Sequence, residues 1–312
     1  MDTRRTRISG VAKRMAPLLG LAAFAAALVM IQRLLSHVEP ADLARQLGRT
    51  PRPALLSAAV MTAGSYLSLS GFDGLGVAYV GHRLAPARVM LISFIAHGVS
   101  HSAGFATLSG GAIRLRLYGA AGLSAAEIAA VIGFCGVTFA AGACTVAAVA
   151  LLAEPTRLAA LFVLPDGILR GLGGAAAAVV VAYVVWGASS PPPLRIFGRS
   201  VAVPGLPMAL AQIIVAAVDL ALAAGALYVL LPTDGRLSYA AFLGLYVMAN
   251  LLGLLAHVPG GLGVFEAAVL AMTPAPAPAV LSALLLFRAV YNLLPLALAA
   301  LCLLAFELSQ GR

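Results

Sequence analysis

The chain has 312 residues, of which 62% are hydrophobic and only 10% charged, with a mean hydropathy of +1.02. A soluble domain needs about 25% charged residues to cover its surface, so this composition excludes a water-soluble globule and requires a bilayer as solvent. The formal net charge of +9 is no footprint of nucleic-acid binding, because Arg4, Arg5, Arg7, Lys13 and Arg14 crowd residues 1–15 and the other cations are scattered between apolar runs.

In chain order, the basic segment 1–15 fits anchoring at the cytoplasmic face against anionic lipid. The apolar core Ala16–Ile31 that follows also describes a signal peptide. Gln32, Arg33 and Leu34 come next without a small-x-small cleavage site, so a retained first span is expected. Residues 39–50 are too polar to span; Leu43 and Leu47 lie four apart among Asp42, Arg45 and Arg49, which predicts a short helix in the interface. A span needs ~20 apolar residues, and the runs 16–35, 54–80, 89–108, 124–152, 168–187, 206–231, 237–258 and 279–307 predict about eight transmembrane helices. The expected fold is therefore an all-α integral membrane protein, a single polytopic domain over 1–312. Pro191-Pro192-Pro193 and the proline alternation from Pro274 to Pro278 read as loops. Loop charge favours both termini in the cytoplasm, with Arg83, Arg88, Arg157, Arg170 and Arg236 inside and Arg45, Arg49 and Arg52 outside. Cys135, Cys144 and Cys302 lie in apolar runs without a CxxC spacing and read as small buried hydrophobes.

Two segments depart from simple spans. Gly104, Gly110 and Gly111 interrupt residues 93–118 before Arg114 and Arg116, and His257-Val258-Pro259-Gly260-Gly261 interrupts residues 250–271 before Glu266. Interrupted hydrophobic segments at matching places in two halves point to a transporter's binding site and to an inverted repeat. Glycine pairs opening a half-helix would present unpaired N–H groups at a positive dipole end, a phosphate-binding arrangement. Gly110-Gly111 and Gly260-Gly261 are thus expected as phosphate-binding turns.

Asp73, Asp219, Glu266 and Arg288 lie inside apolar runs, and Arg114 follows one closely. Each charge facing lipid would cost about 2.5–3.5 kcal/mol on the insertion scale, so these groups pair or line a wet cavity. Helical spacing groups them with other polar residues: Thr62, Tyr66, Ser70 and Asp73; Ser93, His97, Ser100 and His101; Tyr246, Asn250 and His257; Arg288, Tyr291, Asn292 and Pro295; and Gln212 with Asp219 two turns on. Five polar stripes favour a cavity over bland packing. Catalytic motifs fail: His97 and His101 have no glutamate between them as in HExxH, Thr107 breaks a GxSxG around Ser109, and the glycine-rich run 259–263 has no P-loop Lys-Ser/Thr. No metal and no cofactor are expected.

Ser65-Tyr66-Leu67, Gly71-Phe72-Asp73, the run from Ser102 to Tyr118 and, most specifically, Val258-Pro259-Gly260-Gly261-Leu262-Gly263-Val264-Phe265-Glu266 followed by Arg288-Ala289-Val290-Tyr291-Asn292-Leu293-Leu294-Pro295 resemble the membrane region of the bacterial lysylphosphatidylglycerol synthase/flippase (multiple peptide resistance factor) family, over roughly residues 40–305. The resemblance implies a multi-pass protein of the bacterial cytoplasmic membrane that moves phosphatidylglycerol or its aminoacylated forms between leaflets. Asp73, Arg114, Arg116, Asp219, Glu266, Arg288, Tyr291 and Asn292 are expected to handle the headgroup: arginines on phosphate, carboxylates on a cationic moiety. The family's aminoacyl-tRNA-dependent synthase domain has no counterpart in these residues, so enzymatic synthesis is not expected. The expected partners are phospholipid, the membrane and a separate synthase or a second copy of the chain; a non-transporting partner of such a synthase is the alternative function, and an intramembrane enzyme using His97, His101 and a carboxylate is the third.

Overall fold

The computed structural model describes residues 50–103, 106–162, 164–189, 194–196, 199–232, 237–255 and 264–310. Its helices begin where proline or a cap dictates. Pro53 lies in the first turn of α1 (Arg52–Tyr79), Pro86 opens α2 (Pro86–Ala103), and Pro207 and Pro278 lie in the first turns of α7 (Leu206–Tyr228) and α10 (Ala277–Phe287); the ring's fixed φ and missing N–H suit a helix start. Ser124 and Glu127 form a capping box that opens α4 (Ala125–Ala153). Helix α3 (Ala106–Ala120) precedes α4; α5 (Pro155–Phe162), α6 (Asp166–Ala188) and a small antiparallel hairpin, β1 (Leu194–Ile196) with β2 (Arg199–Val201), connect α4 to α7. After α7 come α8 (Tyr239–Leu255), α9 (Val264–Met272), α10, a π-helical turn at Arg288–Leu293, and α11 (Leu294–Gln310).

Five helices among the described residues are long and apolar enough to cross a bilayer: α1, α4, α6, α7 and the continuous run Ala277–Leu308. The expectation of about eight spans also covers runs that lie wholly or partly outside the described residues. Of the run predicted at 89–108, the described residues lie in α2 (Pro86–Ala103) and α3 (Ala106–Ala120), and of the run predicted at 237–258 they form α8, which includes the apolar stretch Tyr239–Gly253. The predicted span 16–35 and nearly all of the predicted interfacial helix 39–50 lie outside the described residues. Exposed Leu56, Val60, Leu67, Val149, Val181, Ile214 and Leu301 give the spanning helices an apolar outer surface, as expected of a multi-pass membrane protein.

Hydrogen bonds fix which helix ends share a face. His82 Nδ1, just beyond α1, lies 3.8 Å from Glu127 Oε1 at the start of α4, Arg88 donates to Ala120 O at the end of α3 (3.3 Å), and Tyr79 donates to Ala202 O (2.6 Å). These ends form the near face. On the far face, Ser238 donates to Glu154 Oε1 just after α4 (3.1 Å), and Tyr228 donates to Leu237 O (2.7 Å). Helices α2 and α3 therefore pack as a pair that starts and finishes on the near face. The run Ala277–Leu308 carries Glu307 to Arg116 of α3 near that face, so α8 and α9, which also pack together, start and finish on the far face.

Apolar packing follows the same division. One core joins Val77, Ile95, Ile113, Leu117, Ile128 and Leu303 near the first face; the other joins Leu158, Leu227, Phe242, Leu245, Val269 and Leu284 near the second. The run Ala277–Leu308 serves both. Val280, Leu284, Phe287 and Tyr291 face the second core at intervals of four, three and four residues, whereas Leu296 and Leu303 belong to the first. The step from Tyr291 to Leu296 is five residues, and the π-helical turn absorbs the extra one.

Glycine has a packing role at two close approaches. A Cβ at Gly142 of α4 would stand 2.2 Å from Ala216 Cβ and 2.9 Å from its carbonyl carbon on α7. A Cβ at Gly110 of α3 would stand 2.0 Å from Ser100 Oγ on α2, whereas one at Gly111 would meet only Ile132 Cδ1 at 3.6 Å. The expected Gly110-Gly111 turn is corrected here: both residues lie inside α3, past its first four N–H groups, so their amides belong to the helix ladder and not to an anion cradle. Gly111→Ala is therefore expected to leave thermal stability in detergent unchanged or slightly raised, by up to about 1 kcal/mol from helix propensity, while Gly110→Ala lowers it by about 1–3 kcal/mol through overpacking. The corresponding Gly260-Gly261 lies outside the described residues.

Candidate functional site

Asp73 of α1 lies at the end of the polar stripe read from the sequence and is fully buried. Arg114 reaches it from α3 with two parallel bonds, Nε to Oδ1 at 2.8 Å and Nη2 to Oδ2 at 2.7 Å. Tyr118 OH donates to Oδ1 (3.1 Å) and Ser93 Oγ to Oδ2 (3.0 Å), with His97 Nδ1 3.7 Å away. The carboxylate thus has four donors, and its pair with Arg114 is a buried fork that ties α1, α2 and α3 together. The two residues expected to take opposite ends of a headgroup are committed to each other.

Two helical turns earlier on α1, Ser65 Oγ donates to Asp219 Oδ1 of α7 at 2.5 Å and lies 2.8 Å from Tyr291 OH of the π-helical turn. Tyr66 OH donates to Tyr291 O (3.2 Å). Tyr291 stacks on His101 with centroids 5.7 Å apart, and His101 in turn lies 5.9 Å from the His97 ring. The polar groups consequently run as one buried belt from Arg114 and Asp73 through His97, His101, Tyr291 and Ser65 to Asp219. The π-helical turn aims its consecutive polar residues at this belt: Tyr291 inward, and Asn292 donating to His101 O at 3.2 Å. Such turns are frequent at functional sites because they leave the regular helix ladder open.

Arg288, at the start of the same turn, is bonded to Glu266 in the first turn of α9. Both side chains keep some exposure, 13% and 19%, against 6% and 0% for Arg114 and Asp73. This pair is therefore the accessible ion pair beside the belt. Arg116 is joined bidentately to Glu307 of α11 (3.1 and 2.8 Å) and lies over the Phe306 ring, near the end of the bundle and away from the belt. Gln212, two turns before Asp219, is held by Tyr183 OH at 2.5 Å and donates to Thr138 Oγ1 at 2.8 Å.

The structure thus brings Asp219, Tyr291, Asn292, Arg288 and Glu266 around one region, seals Asp73 with Arg114 beside it, and separates Arg116. Sequence reasoning missed Ser65, Tyr118 and Glu307. Ser65 had a signal, since it stands at i−8 from Asp73 on a helix already read as polar-faced. Tyr118 and Glu307 had none, because their partners lie on other helices.

No protein-family model matches the chain. It is 39% identical over 252 residues, 80% of this chain and 78% of the relative, to the uncharacterized protein slr0712 of Synechocystis sp.. It is 30% identical over 266 residues, 84% of this chain and 82% of the relative, to the inner membrane protein YbhN of Escherichia coli.

Proposed function

The chain belongs to the family of the Escherichia coli inner membrane protein YbhN, and from that premise and the geometry of its core we propose that it is a translocase of the bacterial cytoplasmic membrane for phospholipid headgroups of the phosphatidylglycerol type, aminoacylated or not. The observation that carries this reading is the polar belt between two apolar cores, flanked by a part-exposed Arg288–Glu266 pair on a π-helical turn. Structural packing alone gains little from ionised groups at bilayer depth. The paired helices α2–α3 and α8–α9, read as re-entrant hairpins from opposite faces, supply the two interrupted elements on which alternating access turns.

In this mechanism the headgroup enters beside the Arg288–Glu266 pair. Its phosphate takes over the Arg288 guanidinium, and a cationic moiety, where present, is received by Glu266 or Asp219. Exchanging an existing ion pair for headgroup contacts keeps every charge partnered throughout, which matters in a medium of low dielectric. Asp73 and Arg114 hold the α1–α2–α3 scaffold. The resemblance to the lysylphosphatidylglycerol flippase family supports the cargo class.

The test is leaflet exchange in vesicles containing purified protein and fluorescent phosphatidylglycerol or lysylphosphatidylglycerol. The protein is expected to accelerate exchange of at least one of them. Arg288→Gln removes a charge-assisted bond worth about 1.5–3 kcal/mol and is expected to slow exchange roughly tenfold or more, while Arg170→Gln, which parts a surface pair with Asp166, leaves it unchanged. Exchange no faster than in protein-free vesicles would overturn the translocase and leave the non-transporting partner of a synthase.

A further inference from the structure

The carboxylates of the bundle differ in one respect. Asp73 is paired with Arg114, Glu266 with Arg288 and Glu307 with Arg116. Among the described residues Asp219 has no Lys, Arg or His within ion-pair distance, although it is 5% exposed and lies in the middle of a spanning helix.

Among the described residues, the side chains around it carry no charge. From α1 come Ser65, which donates to Oδ1, and Tyr66; from α8 comes Tyr246; from the π-helical turn comes Tyr291. Helices α4 and α6 reach α7 through Thr138 and Tyr183, both bonded to Gln212 two turns away. Helix α10 carries no titratable side chain. A carboxylate held at bilayer depth by one hydroxyl is costly as a lone charge. It can be neutralised in two ways: by a proton or by a cation brought in from outside.

We propose that Asp219 is an exchange site at which a proton and the cationic group of the cargo headgroup displace one another. The inference rests on the translocase reading and adds what drives it. When the ammonium of an aminoacylated headgroup arrives, the Asp219 O–H bond breaks and its proton passes to water on the open side. When the ammonium leaves, one proton from water on that side re-forms the bond. No other bond changes, and the site is never left as an unpaired charge. Movement of a cationic headgroup is thereby coupled to a proton moving the opposite way, and phosphatidylglycerol, which lacks the cation, is not so coupled.

Two measurements test this. In the first, purified wild-type protein is treated with dicyclohexylcarbodiimide, which modifies protonated acids in apolar surroundings, and the adduct is located by mass spectrometry. The expected adduct is on Asp219 and not on Asp73, and lysylphosphatidylglycerol suppresses it while phosphatidylglycerol does not. No adduct on Asp219, or equal suppression by both lipids, overturns the proposal. In the second, vesicles with an imposed pH gradient are expected to move lysylphosphatidylglycerol faster toward the acidic side, and Asp219→Asn returns the ratio of rates with and without the gradient to unity. Wild-type transfer indifferent to the gradient overturns proton coupling while leaving the translocase standing. No lipid movement under any condition removes the translocase, and the labelling pattern on wild-type protein then still decides whether Asp219 exchanges a proton for a cation.

Discussion

Asp73→Ala is expected to lower the stability of the protein by about 3–5 kcal/mol, because it strands a buried guanidinium. Arg114 is 5% exposed and spends Nε and Nη2 on Asp73; its remaining neighbour, His97, is itself bonded to Ser93. Neither water nor another carboxylate among the described residues replaces the lost partner at that depth. The double variant Asp73→Ala/Arg114→Leu removes the stranded charge and is expected to recover a large part of the loss, so the two substitutions are strongly non-additive. Thermal unfolding in detergent of the two single variants and the double measures this. Additive losses would show that the fork does not hold α1 to α3. The same experiment separates scaffold from cargo site: a headgroup ligand at Asp73 would instead spare folding and alter only lipid movement.

Gly142→Ala is expected to cost about 1–3 kcal/mol as an overpacked contact, and Gly142→Val more. The added carbon would overlap Ala216 Cβ and approach its backbone, which cannot swing aside as a flexible side chain does. Close approach through small residues is how helices associate in lipid, where apolar burial gives little drive. Ala216→Gly in the same chain is expected to restore only part of the loss, because the 2.9 Å approach to the carbonyl carbon of residue 216 remains. Gly133 and Gly136, on the same helix but with nothing within 4 Å of an added carbon, are expected to accept alanine without loss. Unfolding midpoints of the five variants provide the check, and equal losses at Gly142 and Gly136 would mean that the α4–α7 contact does not set the cost.

The sequence carried the helical character and the location of the polar belt, because both depend on local quantities: apolar run length and 3.6-residue spacing. Asp73, Asp219, Arg288, Tyr291 and Asn292 were found that way, and all lie in or beside the belt. Pairing was not legible. Arg114 and Asp73 are 41 residues apart and Glu307 and Arg116 are 191 apart, and only the return of α3 alongside α2 and the long run Ala277–Leu308 bring them together. Gly110 shows the opposite failure. A glycine pair inside an apolar run reads equally as a turn or as a helix face against a close neighbour, and the neighbour, Ser100, is supplied by the tertiary fold. The five-residue step between Tyr291 and Leu296 was present as a phase error in the apolar pattern, and it marks the π-helical turn.

That phase error has a mechanical meaning. A regular helix through residues 288–293 would roll everything beyond it by about 100°, turning Leu296 and Leu303 away from their neighbours and pulling Glu307 off Arg116. The inserted residue acts as a splice that lets one rod seat in two sockets cut at different angles. Gain or loss of that single residue is equivalent to twisting α11, so the polar centre and the distant Arg116–Glu307 latch are geared to each other along the rod.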